Sequence, residues 1–441
     1  MQPQAAQKTH IELYPLLSSL TAATDLINRV LVDHHKKVSF IAVTIGKTLG
    51  LDEHSLRRLT LAAAVHDIGG LSIRTRLEAF EFEVANPDRH TLPGYSLLAG
   101  FAPFADLAQL IRFHHVYWQN GQGMMDRGEA VPLLSHLIHL SDRIAVQLDS
   151  SREILSQKTE IVQRITAEAG EMFVPEQVQA FQEVAAKEVF WLDLVSPSVS
   201  TILQERFPLG GMDLDRSEIL DLAEMFRRVI DFRSRFTATH SSGVAAVAVA
   251  LASHSGFKKD DPDRMKIAGL LHDIGKLVVP VEILEKRQGL TSEDLAIIYK
   301  HPYYSAEILR GIEGFEDIGQ WGSLHHERLD GTGYPYRKMA DEIPEGARIL
   351  AVADTFTALM EDRPYRCGIS ASSTDRIMRD MAVYHKLDED FVALAYENIE
   401  EINDKRYEAQ TGADQSHRQF LEDCRLLDNY LEADDRCPVN R

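Results

Sequence analysis

The chain has 441 residues, which predicts two or three domains that each bury a core of their own. Its formal net charge of −20 argues against a duplex nucleic acid as partner, because a duplex binder neutralises phosphates with clustered lysines and arginines. A small phosphorylated ligand stays compatible, since a bound cation or a few local arginines can reverse the sign of the charge inside one cleft.

The cysteines and the apolar segments indicate a location. Cys367, Cys424 and Cys437 form no CxxC pattern and leave an odd number, which favours a reducing compartment over a disulfide framework. The N-terminal stretch lacks the basic and apolar regions of a signal peptide, and the longest apolar run, residues 244–252, is too short to span a membrane. We therefore expect a cytoplasmic protein with no membrane anchor.

Helical periodicity dominates the chain from its beginning. Apolar residues recur at intervals of three and four, as in Leu56, Leu59 and Ala63, and no strand-like alternation persists. The pattern predicts an all-α fold. We expect a first helical domain over residues 1–152, a helical linker over 153–216, a second helical domain over 217–411 and a tail over 412–441.

An internal repeat relates the two halves, with an offset of about 206 residues. HHKKVSFIAV begins at His34 and is followed by AVHDIGG, which contains His66 and Asp67. In the second half, HSSGVAAVAV begins at His240 and is followed at the same interval by LLHDIGK. The halves therefore predict two domains of one design.

The repeat continues through the rest of each half. His114 and His115 correspond to a His-His pair in the second half, and Asp142 corresponds to Asp354. Similarity between YSLLAG and YSAEIL places Leu92 opposite His301. In the same way, Gly70 of HDIGG stands opposite the lysine of HDIGK.

Seven candidate metal ligands lie on apolar helical segments of the second half. They are His240, His272, Asp273, His301, His325, His326 and Asp354. A lone histidine or aspartate on such a face usually belongs to a packed core, but seven together would be costly to bury without partners. Their nitrogen and oxygen atoms exceed what one divalent cation uses. The residues therefore indicate a site for two metals.

Residues from about 217 to 411 resemble an HD-GYP domain, the branch of the HD superfamily that hydrolyses cyclic dinucleotides. The resemblance rests on HDIGK at His272, on KHPYYSAEIL around His301, on HHERLDGTGYP from His325, and on RPYR. The first half resembles only the wider HD superfamily. The expected architecture is two tandem HD-type helical bundles joined by a helical linker.

The resemblance implies a role for each ligand. One metal would be held by His240, His272, Asp273 and Asp354. The second would share Asp273 with His301, His325 and His326. Histidine-rich ligation favours two transition metal ions, Fe or Mn, over Mg or Ca.

The resemblance also implies substrate contacts. Lys276, one helical turn beyond His272, would direct its cation at a phosphoryl oxygen, or else be a charge at a helix C-terminus or on the surface. Tyr334 would stack on a guanine, or else only pack in its turn. Arg363 and Arg366 would hold the nucleotide, or else form structural ion pairs.

Other residues of the signature have expected roles as well. Glu327 and Asp330 are expected to orient the neighbouring histidines, or else Asp330 is a solvated loop residue. The sequence departs from the family where Phe236 replaces a glutamate that helps some members to bind a third metal, and where Gly243 replaces an arginine.

We therefore expect a bacterial second-messenger phosphodiesterase in which Asp273 and Lys276 are catalytic. Water activated by two metals would open a cyclic dinucleotide to a linear, 5′-phosphorylated product. Cyclic di-GMP is the favoured substrate and 3′,3′-cyclic GMP-AMP its nearest competitor, and a 5′-nucleotidase step could follow. The alternatives are a non-catalytic cyclic-dinucleotide receptor and a mononucleotide phosphohydrolase.

The first half leaves three interpretations open. Its candidate ligands for a second metal site are His34, His66, Asp67, His114, His115 and Asp142. The domain is a decayed scaffold that regulates or forms a homodimer, a ligand sensor with one metal, or a second phosphohydrolase site. In the last case, His90 would substitute for the ligand that Leu92 does not supply.

Overall fold

The computed structural model describes residues 8–26, 32–70, 72–207, 209–232, 239–257, 262–286, 289–310, 312–362 and 367–424. The chain divides into two compact units. The first unit is Glu12–Met212, and the second unit comprises Met1–Ile11 and Asp213–Arg441. Both are helical, so the predicted all-α class is confirmed.

The first unit contains eleven helices among its described residues. They are α1 (Leu13–Asp25), α2 (His34–Thr48), α3 (Glu53–Ala64), α4 (Ile73–Ala79), α5 (Asp88–Ala99), α6 (Ala105–Arg112), α7 (Leu133–Ala145), α8 (Ile154–Ala167), α9 (Pro175–Ala185), α10 (Glu188–Leu194) and α11 (Val199–Arg206). Short 3-10 helices span Ala102–Phe104 and Gln119–Met124. The predicted linker region thus contains helices α8 to α11, which belong to this unit.

Helix α2 lies at the centre of the first unit. It packs against α3, α7 and α9, and its apolar residues Val38, Phe40 and Ile41 are fully buried. Because a histidine begins this helix, the close packing also fixes that side chain at the core.

The second unit contains the remaining eleven helices of the described chain. They are α12 (Arg216–Asp231), α13 (His240–Ser255), α14 (Pro262–Leu271), α15 (Val281–Leu284), α16 (Ser292–Ile298), α17 (His301–Leu309), α18 (Glu316–Leu324), α19 (Glu345–Met360), α20 (Ala371–Val383), α21 (Glu389–Glu397) and α22 (Ile399–Asp423). Helix α22 continues through residue 412, where the sequence predicted the tail to begin. Ile274–Val278 and Ala340–Glu342 form 3-10 helices.

Helix α13 is central to the second unit and packs against α14, α19 and α22. Gly269 permits its close approach to α14, because a Cβ there would overlap the backbone of Ala245. The side chain of Asp215 accepts hydrogen bonds from the amides of Ser217 and Glu218 and so caps the N-terminus of α12.

Four short strands complete the described structure: β1 (Thr9–Glu12), β2 (Met125–Asp126), β3 (Glu129–Ala130) and β4 (Gly211–Leu214). Strands β2 and β3 form an antiparallel hairpin. Cys367 is disulfide-bonded, which the expectation of reduced cysteines did not include. Among the described residues, no helix combines the length and apolar character needed to cross a bilayer.

Candidate metal centre

The ends of helices deliver the candidate ligands of the second unit to one place. His240 and His301 are the first residues of α13 and α17, whereas His272 and His325 directly follow α14 and α18. Two groups result, one of His240, His272 and Asp273 and one of His301, His325 and His326. Within each group the possible ligand atoms lie within 4.8 Å of one another.

Asp273 lies between the two groups. Its Oδ2 is 3.1 Å from Nε2 of His272 and 4.0 Å from Nε2 of His240. Its Oδ1 is 3.2 Å from Nε2 of His301 and 3.9 Å from Nε2 of His325. Each oxygen thus faces a different set of imidazoles, which is the arrangement that a bridging carboxylate requires.

Asp354 on α19 closes the opposite side of the centre. Its Oδ1 lies 3.1 Å from Nε2 of His240, and its Oδ2 lies 3.9 Å from Nδ1 of His326. All seven ligands predicted from the sequence are therefore brought together within the second unit.

Backbone carbonyls fix the orientation of three imidazoles. Nδ1 of His272 lies 2.8 Å from the carbonyl of Gly269, Nδ1 of His301 lies 2.7 Å from that of Ile298, and His325 makes the same contact to Gly322. This contact assigns the proton to Nδ1 and directs a basic Nε2 at the centre.

Buried polar atoms without hydrogen-bond partners fit a metal site. Nε2 of His272 and Oδ1 of Asp273 are buried, and no described residue satisfies them. Such atoms are costly to bury, and a divalent transition metal accepts both imidazole nitrogen and carboxylate oxygen. The donor set therefore fits the metals that the sequence predicts.

The protonation states of Asp273 and His325 also suit metal binding. Burial alone would raise the pKa of the Asp273 carboxyl, but the charges of His272 and Lys276 hold that pKa well below its usual value. Burial, reinforced by the charge of His272, lowers the pKa of His325 to about 3. An ionised carboxylate and a neutral imidazole are the forms that bind a cation.

Glu361 is a member of the centre that the sequence analysis missed. It is buried next to the end of α19, and Oε1 lies 2.9 Å from Nδ1 of His240. Although burial opposes the charged imidazole, Glu361 and Asp354 raise the pKa of His240 to about 9. Glu361 directly precedes the DRPYR segment, but nothing in its spacing signals the contact.

The position of Gly243 explains one departure from the family pattern. A Cβ at Gly243 would lie 2.9 Å from Nε2 of Gln410, so the amide of α22 occupies the space beside α13. The same nitrogen donates to Oε2 of Glu361 at 3.0 Å. Gln410 thus supports the carboxylate that contacts His240.

Lys276 lies on a 3-10 helix, where the spacing from His272 had predicted an α-helical turn. Its Nζ is 2.5 Å from Oδ2 of Asp273, and the side chain is 20 % exposed. The lysine therefore reaches the carboxylate of Asp273 while retaining access to solvent.

The loop after the His-His pair is organised by its own carboxylates. Glu327 accepts hydrogen bonds from the backbone amides of Tyr336, Arg337 and Lys338, and Asp330 accepts from Thr332. Both carboxylates are engaged by the loop itself, so the interpretation that Glu327 orients histidines is wrong, and Asp330 has the loop role that was its alternative.

Gly331 and Gly333 of this loop are each required to be glycine for a different physical reason. Gly331 has a φ of 74°, which favours glycine. A Cβ at Gly333 would overlap the backbone of Glu327 and Arg328. These constraints place Tyr334 against the site.

Tyr334 packs between two aromatic neighbours. Its ring stacks on that of Tyr299 at a centroid distance of 4.3 Å and lies 4.9 Å from the ring of His326. The structure thus contains the packing that was one of its two predicted roles. The predicted nucleotide contacts Arg363 and Arg366, and the departure at Phe236, lie outside the described residues.

A second collection of histidines and aspartates lies in the first unit. One group comprises His34, His66 and Asp142. The other comprises Asp67, His90, His114 and His115. The structure therefore gathers all six predicted residues of this half and adds His90.

The register of α5 corrects the sequence alignment. A Cβ at Gly69 would overlap the carbonyl of His90 and the amide of Gly94. A Cβ at Gly275, the equivalent glycine, would overlap the carbonyl of His301, with the amide of Ser305 also close. His90 is consequently the counterpart of His301, and the placement of Leu92 there is wrong.

The fold and the two clusters of histidines and aspartates define a protein with tandem helical bundles of one design. Family models described as HD domain match residues 31–147 and 224–391, one in each half. The chain belongs to the HD-domain superfamily, and its second domain carries the HD-GYP signature.

Known relatives extend over one or both halves. The chain is 27 % identical over 394 residues to the 3′3′-cGAMP-specific phosphodiesterase 1 of Vibrio cholerae, covering 86 % of this chain and 90 % of that protein. A cyclic di-GMP phosphodiesterase response regulator of Xanthomonas campestris is 36 % identical, covering 37 % of this chain and 44 % of that protein.

A solved structure supports the fold over nearly the whole length. A cyclic GMP-AMP specific phosphodiesterase of V. cholerae matches with a TM-score of 0.61 and 23 % sequence identity. The match covers 92 % of this chain and 98 % of that one. The helical fold of this chain is thus similar to that of a solved structure.

Proposed function

We propose that the second domain is a metal-dependent phosphodiesterase that opens a cyclic dinucleotide to a linear product with a 5′-phosphate. The observation that carries this proposal is Asp273, whose two oxygens face two separate groups of histidines. Two divalent cations held there, Fe or Mn, would supply a metal-activated water and polarise the phosphoryl group.

Residues of the second domain would have separate roles in the reaction. Asp273 would hold the two halves of the site in register, and His240 and Asp354 would close one side. The oxygen of water forms a bond to phosphorus, the bond from phosphorus to the ribose 3′ oxygen breaks, and a proton passes to that leaving oxygen. Lys276 would move from Asp273 to a phosphoryl oxygen and stabilise the charge that develops there.

We propose 3′,3′-cyclic GMP-AMP as the preferred substrate and cyclic di-GMP as the alternative. The relative that aligns along most of its length is named for 3′3′-cGAMP, whereas the Xanthomonas cyclic di-GMP relative aligns over about a third of this chain. This reverses the order of the two substrates that the family resemblance suggested. The motif itself does not distinguish the second base. Tyr334, Arg363 and Arg366 would contact the nucleotide.

The surrounding properties complete the proposal. We propose that the enzyme acts on a bacterial cyclic-dinucleotide signal in the cytoplasm, with no duplex nucleic acid as partner. A homodimer and a subsequent 5′-nucleotidase step stay predictions. The complete ligand set argues against a silent receptor, and a mononucleotide phosphohydrolase would release inorganic phosphate directly.

Chromatography of the products tests this function. Purified protein loaded with Mn²⁺ is incubated separately with cyclic di-GMP and 3′,3′-cyclic GMP-AMP, with Asp273→Asn as the inactive control. A linear dinucleotide is expected from both substrates, with the larger kcat/KM for 3′,3′-cyclic GMP-AMP. Intact substrate after prolonged incubation with several metals would leave the receptor interpretation.

A further inference from the structure

We infer that the first domain holds a two-metal site of its own, in which His90 supplies the ligand that the sequence repeat appeared to have lost. The site would take two divalent first-row transition ions, because five imidazoles and two carboxylates surround it. The inference is independent of the proposed phosphodiesterase activity, since it concerns a different domain.

Asp67 occupies the position of a bridging carboxylate. Its Oδ2 lies 3.5 Å from Nε2 of His66. Its Oδ1 lies 3.4 Å from Nε2 of His90 and 3.6 Å from Nε2 of His114. The two oxygens therefore divide between two groups of histidines, as those of Asp273 do in the second domain.

The first group has the same closing carboxylate as its counterpart. Nε2 of His34 lies 3.1 Å from Oδ1 of Asp142 and 3.4 Å from Nε2 of His66. Arg143 pairs with Oδ2 of Asp142, whereas Oδ1 is buried and faces Nε2 of His34 and of His66. One carboxylate oxygen thus stays available to a cation.

The second group consists of imidazoles whose Nε2 atoms have no partner. Nε2 of His90, His114 and His115 is buried and unsatisfied by any described residue, as is Oδ1 of Asp67. For His114 the contact of Nδ1 with the carbonyl of Ile111, at 2.6 Å, directs Nε2 inward. Four unsatisfied atoms around one position are costly unless a cation binds them.

The register of the repeat supports His90 as a ligand. The offset between His90 and His301 is 211 residues, the same as between His114 and His325. The carbonyl of His90 packs against Gly69, and the carbonyl of His301 packs against Gly275, the equivalent glycine of the second domain. His90 therefore occupies the position in the first domain that the predicted ligand His301 occupies in the second.

A cavity borders this site at His115. A cavity of about 250 Å³ is lined by His115 together with Thr91, Tyr117 and Arg112. Every other member of the cluster is at most 5 % exposed. Ions would enter from the side of His115 and then be enclosed.

Metal content per chain tests the inference. His272→Ala with Asp273→Asn first removes the second-domain site from the full chain, and bound metal is counted after dialysis with Mn²⁺. About two ions per chain are expected to remain. Adding His90→Ala is expected to remove about one of them, whereas the matched control Leu92→Ala, on the same helix, removes none.

Two further measurements separate ligation from folding. His90→Asp, which keeps a donor atom, is expected to recover part of the lost metal. The electron paramagnetic resonance spectrum should change from that of coupled Mn²⁺ ions to that of an isolated ion in His90→Ala. Absence of metal in the starting variant, or equal metal in His90→Ala and Leu92→Ala, would overturn the inference.

Discussion

A single aspartate organises each half of this protein. Asp273 faces His272 with one oxygen and His301 with the other, and Asp67 does the same between His66 and His90. Because each HD dipeptide lies at a turn shortly after a helix, it would supply both a ligand and a bridging carboxylate to two metals. Residues that support these ligands then determine how strongly metal is held.

Glu361 is such a supporting residue. Its carboxylate is buried beside Nδ1 of His240, so Glu361→Gln should weaken the charge that holds this imidazole in place. We expect metal affinity or kcat to fall about 10- to 100-fold. Metal titration and steady-state rates measure the effect, and the exposed Glu400→Gln serves as the control. Equal behaviour of the two variants would remove Glu361 from the site.

Substitution of Lys276 separates an effect on the reaction from an effect on metal binding. Its ammonium lies 2.5 Å from Asp273 but is partly exposed, which suits a group that turns to the substrate. Lys276→Met should lower kcat by about 10²- to 10³-fold, the loss typical of one removed transition-state donor. Metal content should stay unchanged, and Lys286→Met is the control. A fall in bound metal instead would assign the lysine a structural role.

At the scale of elements, the sequence predicted the helical class and the ligands that are adjacent in motifs. The HD and His-His pairs could be predicted because each motif places its ligands at the end of one helix. The register of α5 could not, since it depends on a close approach between Gly69 and the backbone of His90. Glu361 was missed for the same reason, because its contact with His240 joins distant segments.

The loop after the His-His pair should be sensitive to one added methyl group. A Cβ at Gly333 would overlap the backbone of Glu327 and Arg328, so Gly333→Ala must shift the loop that carries Tyr334. We expect at least about a tenfold loss of kcat/KM, because small displacements of positioned groups are costly. Gly412→Ala, which has open space around it, is the control and should keep full activity. An active Gly333→Ala enzyme would show that the loop does not position the substrate.

Helix α22 contributes a pH-dependent term to stability. His417 is buried against Phe232, and burial lowers its pKa from 6.5 to about 4. As the pH falls, His417 is protonated in the unfolded chain before it is protonated in the folded protein. Its contribution to the free energy of unfolding is therefore fully present above pH 6.5 and is lost as the pH falls towards 4. The loss at pH 5 is about 2 kcal/mol.

Denaturant unfolding at pH 7.5 and pH 5 measures this contribution. Because other buried groups titrate in the same range, the wild type is compared with His417→Leu, whose side chain cannot be protonated. The acid-induced loss of unfolding free energy should be smaller in the variant. An identical loss in both proteins would show that His417 does not carry the effect.

At the scale of the whole molecule, the two sets of ligands differ in exposure. In the second domain the side chains of His326 and Lys276 are 25 % and 20 % exposed, as access for a substrate requires. In the first domain, His115 is the most exposed ligand of the cluster, at 7 %. The same repeat thus yields one accessible site and one enclosed site.

This difference predicts the order in which a chelator removes metal. Ions in the second domain can be reached directly, whereas ions in the first domain leave only when its helices open locally. During incubation with EDTA, phosphodiesterase activity and about half of the metal should disappear first. The remaining metal should leave more slowly and should sustain a calorimetric transition, because bound ions stabilise the folded state by about 2.7 kcal/mol at a hundredfold excess over Kd.

The slow phase of metal loss should shrink in His90→Ala and persist in Leu92→Ala. A single rapid phase in the wild type would contradict an enclosed first-domain site while leaving the accessible site of the second domain intact.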